Sequence, residues 1–339
     1  MQPIYLLTTD GYKDISLGID KEAPCKEILT ELGNIFIADR NLKIQILTDK
    51  GDISFKNIED LSTGDIIISR IDTQCFSEDK TIDLKLSYLL GLLYALKISP
   101  ERYTFVIPRG SITDYISEYF YRYFNVSLVS GEYNIVVPED FINKYNINVF
   151  SIPLSIFEGT KDVEKSFLQG FFDINTVIAD KMFLKDFYKE HLLQQIGLML
   201  KNFGIVPEVD NSSLIISGEE IINYYNVIGT YNDAFEEELL CMNLDESDFY
   251  QIFNIEGICR AFYETTDKSI NFDLMLLNRK NIEKLIELDG DENLKEKIKI
   301  LISDEYCFEK VLVANNIHSK SLDIGEDGEY VINSFVIKR

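Results

Sequence analysis

Apolar and polar positions change rhythm twice along the chain. Over the first seventy residues the period is close to two. Ile4–Thr8 is a short apolar run before the turn residues Thr9, Asp10 and Gly11, and Asn34–Ile37 and Leu42–Leu47 alternate apolar with polar side chains. Lys50, Gly51 and Asp52 make a hairpin-type turn, and Ser62, Thr63, Gly64 and Asp65 lead into Ile66–Ser69. Period-two runs punctuated by Gly and Asp predict strands joined as hairpins. From Leu84 the period lengthens to that of a helix. Helices are expected at 84–97 and 111–124 with a strand at 102–108 between them, then a hairpin at about 126–138 and a short helix near 139–144. The order recurs with a helix at 161–173, strands near 176–184, a helix at 189–203, a strand pair at 206–217 and a helix at 219–227. A helix-strand-strand-helix unit used twice is an internal repeat of about eighty residues.

Residues 232–300 read as acidic and mainly helical, with Glu236, Glu237, Glu238, Asp245, Glu246, Asp248, Asp289, Asp291 and Glu292. Such a run is a solvated helical insertion or an acidic docking surface. Strand patterns return at Val311–Ala314, Ser321–Ile324, Glu329–Ile332 and Phe335–Ile337. A β start and a β end around a helical middle predict an α+β chain in which one β domain is interrupted by an inserted domain. The expected parts are 1–75 and 304–339 for the β domain, 80–231 for the repeat domain in αββαββα order, and 232–303 for the acidic helical segment.

Composition narrows the partners. Hydrophobic residues make up 46% of 339 residues, enough for two or more cores. Asp and Glu number 57 against 33 Lys and Arg, a formal net charge of -24. DNA binders gain affinity by neutralising phosphates, so this charge favours protein partners over nucleic acid unless one face is locally basic. The five cysteines are scattered without a CxxC spacing, and there are only two histidines, His191 and His318. They read as reduced thiols in a cytoplasmic chain with no metal site. The N-terminus has no signal pattern, and the apolar stretch from Leu86 to Leu96 is too short to span a membrane. The leaning towards Ile, Asn, Lys and Tyr implies AT-rich codons and a low-GC source such as a phage, which would put the chain in the host cytoplasm or the virion.

Both ends resemble the Hint fold of inteins. Thr8 to Ile15 is similar to the first intein block, and Gly33 to Asn41 to the block that carries Thr-x-x-His. Ile58, Glu59, Asp60 and Leu61 with Gly64 and Asp65 match the signature that follows it, and Ser321–Ile324 through Glu329–Val336 resembles the final blocks. The middle resembles a two-motif LAGLIDADG homing endonuclease. Leu89-Leu90-Gly91-Leu92-Leu93-Tyr94-Ala95-Leu96-Lys97 and Leu168-Gln169-Gly170-Phe171-Phe172-Asp173-Ile174-Asn175-Thr176 sit where its two signature helices belong. Gly91 and Gly170 would let those helices pack closely, because neither carries a side chain.

The resemblance also implies chemistry that this chain lacks. Splicing needs a Cys or Ser nucleophile, which the match puts just before Met1. It needs the hydroxyl and imidazole of Thr-x-x-His, where Ala38 and Asn41 stand, and a terminal Asn, where the chain has Lys338 and Arg339. DNA cleavage in the family needs an acidic residue at the foot of each signature helix to share divalent metal. Leu96 and Asn175 occupy those positions, with Asp173 nearby in a position suited to hydrogen bonding at the helix end. Arg102, Arg109, Lys181 and Lys185 are the sparse cations available to the family's DNA-binding ribbons. The expectation is an inactive protein of intein and homing-endonuclease descent, kept as a structural or interaction component of a larger assembly. It has no cofactor, and its partners are proteins rather than membrane. A non-cleaving DNA-binding protein, or a residual Mg²⁺-dependent endonuclease, is the alternative.

Overall fold

Two units divide the chain, one joining Met1–Thr73 to Asp245–Arg339 and the other comprising Gln74–Leu244. The computed structural model describes residues 4–8, 11–15, 17–71, 76–77, 82–95, 103–107, 111–128, 131–147, 151–157, 159–179, 181–184, 190–210, 213–241, 257–258, 282–283, 286–287, 290–303, 305–324, 329–332 and 335–338. The described residues form a mixed α+β protein in which every strand pairing is antiparallel.

The first unit is a ten-stranded sheet. Early strands are β1 (Ile4–Thr8), β2 (Gly11–Ile15), β3 (Leu17–Thr30), β4 (Ile35–Asp39), β5 (Lys43–Leu47), β6 (Ile53–Asn57) and β7 (Ile66–Arg70). Late ones are β14 (Tyr306–Ile324), β15 (Glu329–Ile332) and β16 (Phe335–Lys338). The order β2-β1-β15-β16-β5-β7-β14-β3-β4, with β6 beside β5, interleaves the two ends of the chain. The early strands do not form this sheet alone, because β15 and β16 separate β1 from β5 and β14 separates β7 from β3. Their alternating apolar residues meet in one core of Ile28, Ile44, Ile58, Ile67, Val311, Phe335 and Ile337, where Phe36 stacks on Phe335 at 4.6 Å.

Sequence pattern and structure part company along the longest ribbon. Val311–Ala314 and Ser321–Ile324 belong to one strand, β14, which pairs with β3 from Thr30 to Leu17 through two irregularities. β3 shows no alternation because its residues 20–27 carry Asp20, Lys21, Glu22, Lys26, Glu27 and Pro24. Pro24 is tolerated where it only accepts, from the Arg40 N–H at 3.1 Å.

The second unit has α1 (Leu84–Ala95), β8 (Tyr103–Ile107), α2 (Ser111–Phe124), β9 (Gly131–Ile135), α3 (Glu139–Tyr145) and α4 (Leu154–Phe157). It continues with α5 (Lys161–Asn175), β10 (Thr176–Ile178), β11 (Met182–Leu184), α6 (Glu190–Asn202), β12 (Glu208–Asp210), β13 (Ser213–Ile216), α7 (Glu219–Val227) and α8 (Asp233–Cys241). The second half forms a four-stranded sheet in the order β10-β11-β13-β12, whereas β8 and β9 pair as a two-stranded sheet. Of the hairpin expected at 126–138 only the second strand forms, as β9, and it pairs with β8 instead. Asn125 takes a left-handed turn (φ 55) after α2, and Val126 and Leu128 pack on the core instead of entering a ladder.

The acidic stretch divides between the units. Phe235 and Leu239 of α8 lie four apart on one helix face and join the core of the helical unit. A further helix, α9 (Glu292–Leu301), buries Ile298 and Leu301 against Leu47, Ile68 and Phe308 of the sheet. Asp291 caps it by accepting from the N–H groups of Asn293 and Leu294. Lys297 ties it to the turn at Gly51, donating to Lys50 O and pairing with Asp52, each at 2.9 Å. Among the described residues no helix is long and apolar enough to cross a membrane.

Candidate functional site

The helices α1 and α5 meet backbone to backbone. A Cβ added at Gly91 would lie 2.1 Å from the Phe167 carbonyl oxygen, and one at Gly170 would lie 2.1 Å from that of Tyr88. Each glycine therefore faces the turn of the other helix that flanks its counterpart, and the approach is reciprocal. From Leu86 to Ala95 every residue of α1 is buried, which suits a helix that is apolar on all sides.

Asp173 lies near the C-terminal end of α5, only 2% exposed. Its Oδ2 accepts from the Tyr88 hydroxyl at 2.5 Å and from the Tyr231 N–H at 3.0 Å, and its Oδ1 accepts from the Thr230 hydroxyl. Asn232 Nδ2 donates to the Asp173 carbonyl at 2.7 Å. Burial pushes the carboxyl up to about 6, against the pull of the three donors. An aromatic wall closes over it. Tyr115 stacks on Tyr231 at 4.1 Å, and Tyr88 meets both rings edge-on at 5.2 and 5.5 Å. The Tyr224 hydroxyl is also buried here without a hydrogen-bond partner among the described residues. Burial and the Asp173 carboxylate raise the pKa of both Tyr88 and Tyr224 well above the usual phenol value.

This arrangement can hold a helix end rigidly. It offers little to a metal, because three donors already engage the carboxylate and aromatic rings shield it. Leu96 lies outside the described residues, and Asn175 is the last residue of α5. Thr176 follows it and donates its hydroxyl back to the Phe172 carbonyl at 2.6 Å. Among the described residues no group of three or more His, Cys, Asp or Glu could hold a metal ion. Of the four basic candidates, Lys181 is exposed between β10 and β11, whereas Arg102, Arg109 and Lys185 lie outside the described residues.

In the sheet unit, Ala38 is buried on β4 opposite Lys26. Asn41 is exposed in the next turn, where its N–H and Nδ2 both donate to Asp39 Oδ1. Lys338 is opposite Lys43 of β5, two residues beyond Asn41, with its ammonium 5.2 Å from the centre of the Phe55 ring. The sheet thus brings the Asn41 turn and Lys338 to one end. Arg339 lies outside the described residues. His318 is exposed on β14 opposite Pro24. Neighbouring Cys25 is buried, and burial followed by the charge of Asp39 pushes its thiol up, which favours the unreactive form.

Four buried charged side chains among the described residues escaped sequence reasoning, one of them Lys201 on α6 at 2% exposed. Glu309 on β14 is fully enclosed and accepts from Thr30 Oγ1 and Asn34 Nδ2, each at 2.6 Å, and from Ser69 Oγ at 2.9 Å. Lys26 donates to the carbonyls of Glu59 and Leu61, and burial followed by the charge of Arg40 lowers its pKa. Glu164 on α5 is fully enclosed, with a 3.4 Å contact from Asn202 Nδ2 as its one hydrogen bond among the described residues, and burial pushes it up to about 8. A signal existed only for Glu164, which interrupts the apolar stripe of Val163, Phe167, Leu168 and Phe171. No protein-family model matches the chain, and no curated protein matches it in sequence.

Proposed function

We propose that the protein is a non-catalytic derivative of the intein and LAGLIDADG architecture that serves as a structural or interaction component of a larger assembly. The engagement of Asp173 carries this reading. A metal-dependent nuclease needs carboxylates at the foot of its paired helices that are open to a hydrated cation and to the phosphate. Asp173 instead serves Tyr88, Thr230 and Tyr231 beneath a tyrosine wall. The reciprocal approach of Gly91 and Gly170 supports descent from a paired-helix ancestor. Well-filled cores in both units beside chemically bare motif positions suit a fold kept for its shape. Incubation of supercoiled plasmid with the protein and Mg²⁺ or Mn²⁺ tests the loss of chemistry. Unaltered plasmid is expected, and nicking that vanishes in Asp173→Asn overturns it. Native mass in extracts of the source tests the second half: stable residence in a complex is expected, and a free monomer would exclude an assembly role.

A further inference from the structure

We infer that the free edge of β4 is a docking site for an extended, basic peptide segment of a protein partner. β4 ends the sheet order, with β3 as its one neighbour among the described residues. The register fixes which backbone groups point outward. Thr30 N–H bonds to Asn34 O at 3.0 Å and Arg40 N–H to Pro24 O at 3.1 Å, at the two ends of the β3–β4 ladder. Bonded pairs alternate in an antiparallel ladder, so Phe36 and Ala38 face β3 with their N–H and C=O groups. Ile35 and Ile37 turn theirs to the free edge.

Their side chains are exposed as well, 39% for Ile35 and 49% for Ile37. Two cross-strand rows lie on this face. One is Val313, Leu29 and Ile35, and the other is Asn315, Glu27 and Ile37. Edge strands are ordinarily protected by Lys, Pro or a bulge. The stretch Ile35-Phe36-Ile37-Ala38-Asp39 has none of these. It presents backbone donors and acceptors beside an apolar strip, the two elements of strand addition.

Charge selects the occupant. Glu27 is the half-exposed centre of the second row, with no cation paired to it among the described residues. The chain as a whole carries a net charge of -24, which attracts basic segments and opposes a second copy of itself. An added strand would lie about 10 Å from β3, two strand spacings away. A Lys or Arg opposite Ile37 would lay its aliphatic stem over that isoleucine and reach Glu27 with its charged head. A Val or Ile two residues away would cover Ile35 and Leu29. The edge therefore fits an extended segment with an apolar and a basic residue two apart. This assignment is independent of the loss of chemistry, since a chain that nicked DNA would present the same edge.

The test uses the full chain and a fluorescein-labelled heptapeptide, Thr-Val-Thr-Arg-Thr-Val-Thr, followed by fluorescence anisotropy. Binding is expected with a Kd of roughly 100 µM or tighter, as suits a small surface. Glu in place of the peptide Arg should weaken it at least about tenfold, and N-methylation of its Val and Arg residues, which removes the donors, should abolish it. In the protein, Ile37→Lys should weaken binding about tenfold or more and Glu27→Gln severalfold, while Val136→Lys, on an exposed residue of the other unit, should not. All three positions are exposed or half-exposed, and an unchanged melting curve checks that each variant folds. No anisotropy change up to about 1 mM peptide overturns the inference, as do equal binding of the Glu peptide and wild-type binding by Ile37→Lys. A dimer in sedimentation that dissociates on Ile37→Lys would assign the edge to a second copy and overturn it too.

Discussion

Replacing Gly91 or Gly170 with Ala tests the packing of α1 on α5 with a single methyl group. At either position the new Cβ would meet a carbonyl oxygen at 2.1 Å, whereas ordinary contact begins at 3.4 Å. The obstacle is backbone, so no rotamer change relieves it and the helices must separate by about 1.3 Å, the difference between those distances. A gap of ~0.5–1 Å already forfeits a quarter to a half of the dispersion well for the atoms along the seam. Overpacking of this kind costs ~1–3 kcal/mol or more. The obstructing atoms place these sites at or above the top of that range, about 4 kcal/mol gross. Ala improves helix propensity by about 1 kcal/mol, leaving roughly 3 kcal/mol of net destabilisation. In a unit the size of Gln74–Leu244 that lowers the melting temperature by roughly 6–12 °C. Calorimetry of the full chain reads the shift, and hydrogen exchange resolved by peptide assigns it to α1 and α5. The double variant should lose clearly less than the sum of the singles, because one separation relieves both clashes. Gly197→Ala in α6 is the internal control. Its Cβ would meet Pro207 and Val209 at 3.5 Å, so the propensity term should dominate and stabilise by up to about 1 kcal/mol. Gly91→Ala as stable as the parent, or strict additivity of the two seam variants, would refute the close approach.

Glu164 should make the helical unit lose stability as the pH rises. Its folded-state pKa of about 8 lies above the unfolded value near 4.3, so its contribution is complete below pH ~4 and is lost as pH climbs through 8. The loss totals roughly 5 kcal/mol if the group stays enclosed, and Glu164→Gln should abolish it. Urea titrations of both proteins between pH 5 and 8.5 check this, and a constant stability difference would contradict it. Glu309→Ala should destabilise the sheet unit by about 3–5 kcal/mol, because it strands the donors of Thr30, Asn34 and Ser69 in the core. A loss under about 1 kcal/mol on urea unfolding would mean that those donors find other partners.

The helical unit was largely legible in the sequence because its information is local. A largely apolar α1, a repeated glycine and the turn residues before each strand can all be read within a dozen positions. The sheet unit was legible where one strand face is buried, as in β4 with Phe36 and Ala38 inward. It was not legible along β3, and in β14 only as the two pieces Val311–Ala314 and Ser321–Ile324; the two strands pair across nearly three hundred residues and expose Glu22, Asn315, Asn316 and His318 to solvent. Exposure on both faces erases the period-two signal, so only the partner strand reveals the ladder. The first strand of the hairpin expected at 126–138 failed for the converse reason, while its second strand formed as β9. Val126 and Leu128 are apolar enough for a strand, but the core of α2 and α3 takes them without one.

Buried charge was the least legible feature, and its chemistry bears on what the protein retains. The three donors on Asp173 come from α1 and from the connection between α7 and α8, so one carboxylate joins three parts of the helical unit. Glu309 does the same in the sheet unit, drawing on β3, the turn after it and β7. A carboxylate with several internal donors is costly to strip of any one of them and gains little from a cation. Both residues therefore act as pins between segments far apart in sequence.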